Sequence, residues 1–218
     1  MNNPYTTNVS LGDAMAKCGL IAILRGIHPE EASGFGECLY EQGFRIIEVP
    51  LNSPCPFESI EKLRKTLPVD CRVGAGTVYL PSQVEDVRGA GGELIVMPHN
   101  DQAVIEAGTK VGLAVIPGVA TASEAFAALA HGCQFLKLFP ADHLGSGMVK
   151  SLRSVLPREA CFIPVGGLTP GSLADFVAAG AIGFGLGSAL YTPGMTTKHL
   201  TLRGAEFVSA WRNTQARV

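Results

Sequence analysis

Charged residues are scarce in this sequence, and neither sign dominates. They make up 17% of the 218 residues, and the formal net charge is -2. A surface that binds nucleic acid usually carries a basic patch, and no cluster of Lys and Arg stands out along the chain. We therefore expect no nucleic-acid partner.

Long apolar runs and clustered metal-ligating residues are also missing. No apolar run approaches the ~18 residues of a membrane span, and the chain opens with the polar residues MNNPYTTNVS rather than with a secretion signal. The six cysteines include no CxxC pair, and the five histidines have neither HExxH nor HxH spacing. These absences favour a cytoplasmic protein with reduced thiols, no membrane association and a metal-free mechanism.

Apolar residues, in contrast, are plentiful at 47% of the chain, enough to bury a substantial core. The length fits one domain spanning residues 1–218, and no linker or change of composition divides it. Short apolar runs alternate with amphipathic stretches that often open at Pro, Ser or Thr and end at Gly, as helices commonly do. The eight predicted strands begin at Leu20, Arg45, Cys71, Glu93, Leu113, Phe135, Cys161 and Gly183.

Strict alternation of strands and helices predicts an α/β fold with parallel strands. A doubly wound open sheet shows the same alternation, but eight strand-helix units in this length favour a (β/α)8 TIM barrel. Within the N-terminal extension, residues 1–19, the segment SLGDAMAKCG predicts an extra helix that covers the barrel floor. Barrel enzymes place their chemistry at the C-terminal ends of the strands. The residues that fall at these ends are Arg25, Glu48, Thr77, Pro98, Pro117, Lys137 and Gly166.

The segment FLKLF carries one lysine in an otherwise apolar strand. A two-residue period places Lys137 on one face with Phe135 and Phe139, and the leucines on the other. Burial disfavours the charged form of lysine, so the pKa falls toward neutrality and leaves a free amine that attacks carbonyl carbon. The pattern predicts a Schiff-base nucleophile. The alternatives are a lysine that reaches solvent at the strand end, or a buried ion pair.

Three further polar side chains at strand ends are candidates for proton transfer or for binding a substrate carboxylate. Glu48 is the lone ionisable group of IIEVPL, where apolar surroundings raise the pKa of a carboxyl and suit it for proton transfer; alternatively, it is a structural partner of a barrel arginine or lysine. Arg25, at the end of the first strand, can hold a substrate carboxylate bidentately or keep Glu48 ionised. Thr77, after the glycines of VGAGT, offers a hydroxyl to a carboxylate oxygen, although glycines at a strand end also make ordinary turns.

Glycine-rich segments end the last two predicted strands. Gly166 and Gly167 follow the seventh strand, and Gly187 and Ser188 follow the eighth. Barrels frequently bind phosphate with these two loops, because glycine exposes backbone N–H groups without steric bulk. A short helical turn after Ser188 would add a partial positive charge. Either cluster alone is often a packing feature, but their paired position predicts a phosphate site.

Together these segments resemble the 2-keto-3-deoxy-6-phosphogluconate/4-hydroxy-2-oxoglutarate aldolase family, which includes 2-keto-3-deoxy-6-phosphogalactonate aldolases. The matching segments, in family order over nearly the whole chain, are IAILRG, IEVPLNSP, VGAGTV, PGVATASEA, LKLFPA, VGG and GFGLGSALY. The resemblance implies a metal-independent class I aldolase on a (β/α)8 barrel, usually a homotrimer, with no cofactor beyond the covalent imine on its lysine. The implied substrate is a phosphorylated 2-keto-3-deoxy sugar acid, which the family cleaves to pyruvate and glyceraldehyde 3-phosphate.

The resemblance also assigns roles to matching positions. The lysine of LKLFPA makes Lys137 the imine-forming residue, and the glutamate of IEVPLNSP makes Glu48 the proton-transfer residue. Arg25 and Thr77 fall on positions that bind the substrate carboxylate. The phosphate-binding positions correspond to Gly166, Gly167, Gly187 and Ser188, and we expect Asn52, Pro98, Pro117, Phe139 and Val165 to line the substrate pocket.

Two positions bear on which substrate is preferred. The gluconate branch usually carries Arg where this chain has Asn52 and Thr where it has Val165, so the chain looks like the galactonate branch. The two substrates differ in configuration at C4, where a changed contact can discriminate between them. The segment MPHND, from Met97 to Asp101, departs from the familiar Ser/Thr-Pro-Asn pattern, so we expect the fourth loop to contact substrate differently. Open alternatives are a gluconate or hydroxyglutarate aldolase, a phosphate-binding barrel isomerase and a catalytically silent phosphometabolite-binding protein.

Overall fold

Short buried strands alternate with helices in the computed structural model, which describes residues 10–216. The strands are β1 (Leu20–Ile23), β2 (Ile46–Pro50), β3 (Arg72–Gly76), β4 (Leu94–Val96), β5 (Ala114–Ile116), β6 (Gly118–Val119), β7 (Phe135–Leu138), β8 (Cys161–Pro164) and β9 (Phe184–Leu186). The helices are α1 (Leu11–Lys17), α2 (Pro29–Gln42), α3 (Pro56–Thr66), α4 (Ser82–Gly89), α5 (Gln102–Lys110), α6 (Ala122–Ala130), α7 (Ala141–Arg153), α8 (Leu173–Ala178), preceded by a 3₁₀ turn at Pro170–Ser172, and α9 (Thr197–Gln215). Within the same range, no helix has both the length and the apolar character needed to cross a membrane.

Local chemistry explains where the helices begin and end. Ser10 caps α1, because its hydroxyl oxygen accepts the N–H of Asp13 while the Asp13 carboxylate accepts the N–H of Ser10. α2 begins at Pro29, whose fixed φ suits a first helical turn, and ends before Gly43. Gly43 has a φ of 111°, a conformation that glycine adopts most readily. These helix ends follow from short-range signals that are readable in the sequence.

All strand pairs are parallel, and the strands form two sheets with the orders β5-β4-β3-β2-β1-β9 and β6-β7-β8. Only Pro117 separates β5 from β6, and proline has no N–H to donate to a ladder, so the fifth predicted strand is divided in two. At the other junction, isolated bridges pair Phe162 with Ala181 and Val165 with Gly185. The result is a curled, parallel α/β sheet with helices on its outer face.

The apolar core has two parts, one on each face of this curled sheet. On β7, Leu136 and Leu138 belong to the outer part, between strands and helices, whereas Phe135 packs against the inner part. α1 contributes to the inner part, and its Met15 side chain lies against Gly183, just before β9. α1 therefore lies at the N-terminal ends of the strands, and their C-terminal ends stay open.

Candidate active site

A cavity of about 250 Å³ opens at the C-terminal ends of the strands. It is lined by eleven of the thirteen residues that the sequence predicts for the site, and the two exceptions are Asn52 and Pro117. Asn52 lies at the rim, and Pro117 is buried, with its carbonyl accepting the N–H of Lys137 at 2.9 Å. The lining consists of Ile23, Arg25, Glu48, Thr77, Pro98, Lys137, Phe139, Val165, Gly166, Gly167, Leu168, Gly185, Leu186, Gly187, Ser188 and Ala189.

Lys137, the third residue of β7, is 7% exposed. Its Nζ lies 4.8 Å from the centroid of the Phe139 ring. Burial lowers the pKa of Lys137, the negative charge of Glu48 partly opposes this shift, and the positive charge of Arg25 adds to it. The strand period therefore places the lysine in an apolar setting where its neutral, nucleophilic form is favoured.

Glu48, in the middle of β2, is 2% exposed, and its Oε2 has no hydrogen-bond partner within residues 10–216. Burial raises the pKa of this carboxyl to about 7, against the opposing effects of the positive charges on Lys137 and Arg25. Among the ion pairs of the described range, none joins Glu48 to a lysine or arginine. The raised pKa brings the titration of this carboxyl toward neutral pH, which suits a group that accepts and returns protons.

Arg25 is held at the cavity edge by two neutral acceptors. Its Nη1 donates to Asn52 Oδ1 at 2.6 Å, and its Nη2 donates to Thr77 Oγ1 at 3.3 Å. Thr77 has a φ of 57°, which is rare for a β-branched residue and is a form of backbone strain that concentrates at functional sites. The guanidinium thus stays oriented while its charge remains available to an anion.

The two glycine loops, after β8 and β9, also line the cavity. Gly166 and Gly167 have φ values of 106° and 62°, so this turn needs glycine. After Gly187 the chain makes a helical type of turn, in which the Leu190 and Tyr191 N–H groups donate to the Gly187 carbonyl at 2.8 and 2.9 Å. The backbone N–H groups of Gly166, Gly167, Ser188 and Ala189 line the cavity and donate to no backbone acceptor within residues 10–216.

The loop after β4 contributes one residue to the cavity, and other residues of this loop contact the rest of the protein. Pro98 lines the cavity, and His99 is exposed. Asn100 donates to the Glu124 carbonyl at 2.5 Å, and Asp101 caps α5. Asn100 and Asp101 of the unusual MPHND segment therefore have structural roles.

Five lining residues were not among the predicted site residues: Ile23, Leu168, Gly185, Leu186 and Ala189. Ile23 follows Ile21 by one strand period on the inner face, so the alternation within LIAI is a signal that could have identified it. Leu168 and Ala189 lie in loops, which have no periodicity to reveal their direction. No group of three or more His, Cys, Asp or Glu side chains in the described range is placed to hold a metal ion.

A family model described as "KDPG and KHG aldolase" matches residues 11–201. A probable 2-dehydro-3-deoxy-6-phosphogalactonate aldolase of Rhizobium meliloti is 46% identical over 192 residues, which are 88% of this chain and 91% of the relative. The 2-dehydro-3-deoxy-6-phosphogalactonate aldolase of Escherichia coli is 42% identical over 196 residues, which are 90% of this chain and 96% of the relative.

Two solved structures resemble this chain over most of its length. One, described as a native KDPGal structure, has a TM-score of 0.90 and 42% identity, over 92% of this chain and 97% of that one. The other is a KDPG aldolase of Legionella pneumophila with pyruvate captured as a covalent carbinolamine intermediate. It has a TM-score of 0.81 and 29% identity, over 92% of this chain and 97% of that one.

Proposed function

The chain belongs to the KDPG and KHG aldolase family, and we propose that this aldolase cleaves 2-dehydro-3-deoxy-6-phosphogalactonate to pyruvate and glyceraldehyde 3-phosphate through an imine on Lys137. The observation that carries the proposal is one cavity with a different group for each part of such a substrate. Its lining includes a buried lysine, a buried carboxyl, an arginine and backbone N–H groups that donate to no backbone acceptor in the described range. The carbinolamine in the Legionella relative supports covalent attachment of pyruvate.

The proposed reaction begins with the neutral amine of Lys137. Its Nζ attacks the C2 ketone, and loss of water from the carbinolamine leaves an iminium. Glu48 then takes the proton of the C4 hydroxyl, the C3–C4 bond breaks, and its electron pair moves into the iminium to form an enamine. Glyceraldehyde 3-phosphate departs, and a proton returned to C3 gives the pyruvate iminium. Hydrolysis releases pyruvate and the free amine, so no metal or redox partner is required.

The two ends of the substrate are assigned to different groups of the cavity lining. Arg25 and Thr77 would hold the carboxylate, since the guanidinium is oriented and carries a full charge. The phosphate would accept hydrogen bonds from the N–H groups around Gly166, Gly167 and Ser188, because clustered N–H groups form an anion site. Anchoring both ends aligns the C3–C4 bond with Lys137 and Glu48.

Preference for the galactonate epimer is supported by the names of the two relatives at 46% and 42% identity. Asn52 offers a physical route to that preference through its 2.6 Å hydrogen bond to Arg25, rather than through the cavity lining. An arginine at position 52 would place a second guanidinium beside Arg25 instead of an amide acceptor. Cleavage of both C4 epimers by the purified enzyme tests this proposal, and a higher kcat/KM for the gluconate epimer would contradict it.

The proposal extends to the whole chain. We infer a single domain, a (β/α)8 barrel in which β5 and β6 form one strand and α1 covers the floor, a homotrimer and a cytoplasmic location. The bridges between β8 and β9 support closure of the barrel. The absence of disulfides among the six cysteines supports a reducing compartment.

Exposed apolar side chains at Tyr79, Leu80 and Phe126 offer contact surface to other copies. Sedimentation equilibrium tests the trimer, which should have three times the mass of the chain.

Borohydride reduction in the presence of pyruvate tests the covalent step. The wild-type protein should gain one pyruvate-derived adduct, located on Lys137 by peptide mass analysis, and Lys137→Ala should gain none. Lys150→Ala, which removes an exposed lysine of α7, is the matched control and should be labelled like the wild type. A wild-type protein labelled elsewhere would refute the mechanism, and substrate binding without turnover would indicate a catalytically silent protein.

A further inference from the structure

β3 carries glycine at the two positions that face the inside of the curled sheet. Val73 and Ala75 belong to the outer part of the core, which places Gly74 and Gly76 on the inner face. A Cβ on Gly74 would overlap the carbonyl oxygen of Leu94, a backbone atom of β4. The first glycine therefore has a structural reason, namely the close approach of a neighbouring strand.

Gly76 makes room for the carboxyl group of Glu48. A Cβ there would overlap Cδ, Oε1 and Oε2 of Glu48, and these are its three nearest atoms. The φ of Gly76 is not in the left-handed region, so its backbone accepts an ordinary residue. A substitution would be opposed by the end of one flexible side chain and by no backbone atom among these nearest neighbours.

The position of the Glu48 carboxyl depends on this space. Glu48 pairs in register with Gly74 and Pro50 with Gly76, so the carboxyl reaches along β3 toward its C-terminal end. Its Oε2 has no hydrogen-bond partner in the described range, so that oxygen is not held by a donor. The carboxyl occupies the space that a Cβ at position 76 would fill, in the cavity that Lys137 also lines.

We propose that Gly76 is a positioning residue for proton transfer, because its missing side chain lets the Glu48 carboxylate lie where it can exchange protons with a substrate bound to Lys137. This inference rests on the proposed role of Glu48. A methyl group at position 76 displaces the carboxylate by about the size of that group and leaves the strand in place.

Deuterium exchange into the methyl group of pyruvate provides the test. Exchange requires removal and return of a C3 proton on the imine, whereas borohydride trapping measures imine formation alone. In Gly76→Ala we expect the exchange rate per trapped imine to fall by about 100-fold, as for a misplaced acid-base group. Trapping and the thermal midpoint should stay near the wild-type values.

A double-mutant cycle separates positioning from a general structural effect. In a Glu48→Gln background, Gly76→Ala should cause little further loss, because no carboxylate remains to be misplaced. In a Glu48→Asp background the side chain is shorter by one methylene, so the effect of Gly76→Ala should be smaller than in the wild type. Gly89→Ala is the control, since a Cβ at this position in α4 has no atom within 4 Å.

Normal exchange in Gly76→Ala, or equal losses in the wild-type and Glu48→Gln backgrounds, would overturn the inference. Normal exchange in Glu48→Gln alone would instead overturn the proposed role of Glu48, so the two failures are distinguishable. If Gly76→Ala does not fold, the double variant Glu48→Ala with Gly76→Ala should fold as well as Glu48→Ala, because the overlap has been removed. Failure of that variant to fold would also overturn the inference.

Discussion

Burial favours the neutral form of both Lys137 and Glu48, although it moves their pKa values in opposite directions. The pKa of Lys137 falls, and the pKa of Glu48 rises to about 7. The amine must be neutral to attack a carbonyl, and the carboxyl must change charge near neutral pH to transfer protons. The apolar strands that surround both residues therefore prepare them for chemistry at a cost in stability.

That cost predicts how Glu48→Gln affects stability. A carboxyl whose pKa rises from 4.5 to about 7 on folding binds its proton more tightly in the folded protein. Its contribution to stability is then complete below about pH 4.5 and is lost as the pH rises to about 7. Relative to the wild type, Glu48→Gln should gain about 3 kcal/mol in free energy of unfolding between pH 4.5 and pH 8.

Urea unfolding at several pH values measures this difference. Glu159→Gln, a change at an exposed carboxyl, serves as the control and should follow the wild-type pH dependence. Parallel stability curves for Glu48→Gln and the wild type would mean that Glu48 is not buried as a titrating carboxyl in solution.

At the scale of elements, the loops after β8 and β9 use glycine for different reasons. Gly167 has a φ of 62°, and a Cβ there would overlap Asp142, so a side chain would strain the turn. Gly187 has no such constraint, because its φ is not in the left-handed region and its Cβ would meet no atom within 4 Å. Its lack of a side chain keeps space open in the cavity.

Gly187→Ala should therefore impair substrate binding without affecting the fold. We expect KM for the phosphorylated substrate to rise about 10-fold, the equivalent of one weakened phosphate contact. Pyruvate exchange and the thermal midpoint should not change, because neither involves the phosphate. Gly34→Ala in α2, another glycine whose Cβ would meet nothing, is the control. A lower thermal midpoint with an unchanged KM would assign Gly187 to packing.

The loop before α5 offers a second prediction at this scale. Asp101 accepts the N–H of Val104 at 3.0 Å and caps the helix. Asp101→Ala should lower the free energy of unfolding by about 1 kcal/mol, as loss of a helix cap does, and should leave kcat and KM unchanged. Asp101→Asn keeps an acceptor and should recover most of the stability. A changed KM in both variants would show that this loop contacts substrate through Asp101.

At the scale of the whole molecule, stability and chemistry lie at opposite ends of the strands. Glu93, just before β4, pairs with Arg64 at 2.8 Å and also with Arg72, and the side chains of Arg64 and Glu93 are 2% and 6% exposed. Arg64 further donates to the carbonyls of Leu67 and Pro68. This buried ionic cluster joins α3 to the N-terminal ends of β3 and β4, away from the cavity.

Removing the charge of Glu93 should destabilise the protein without altering its chemistry. Because Glu93→Gln leaves a buried guanidinium without its counter-ion, we expect a loss of about 3 kcal/mol in free energy of unfolding. The folded fraction should keep the wild-type kcat and KM. Glu61→Gln, which breaks the exposed pair with Lys65, is the control and should cost far less. A fall in kcat of the folded fraction would show that this cluster also acts on the cavity.

Strand periodicity alone determined much of the architecture. The apolar runs located every strand, and the face of β7 that carries Lys137 followed from the two-residue period. Position at a strand end identified six of the sixteen lining residues, because parallel strands bring their C-terminal ends together. The sequence did not reveal that Pro117 divides a strand, or that Leu168 and Ala189 line the cavity, because loop directions have no periodic signal.

Contacts between residues far apart in the chain were decided only by the tertiary structure. The orphan oxygen of Glu48, the bond from Arg25 to Asn52 and the space above Gly76 each depend on how neighbouring strands are placed in three dimensions. A sequence determines side-chain chemistry and local conformation, because both depend on neighbours along the chain. The sequence does not show which buried polar atom, such as Oε2 of Glu48, is left without a hydrogen-bond partner, because that depends on every element packed around the atom.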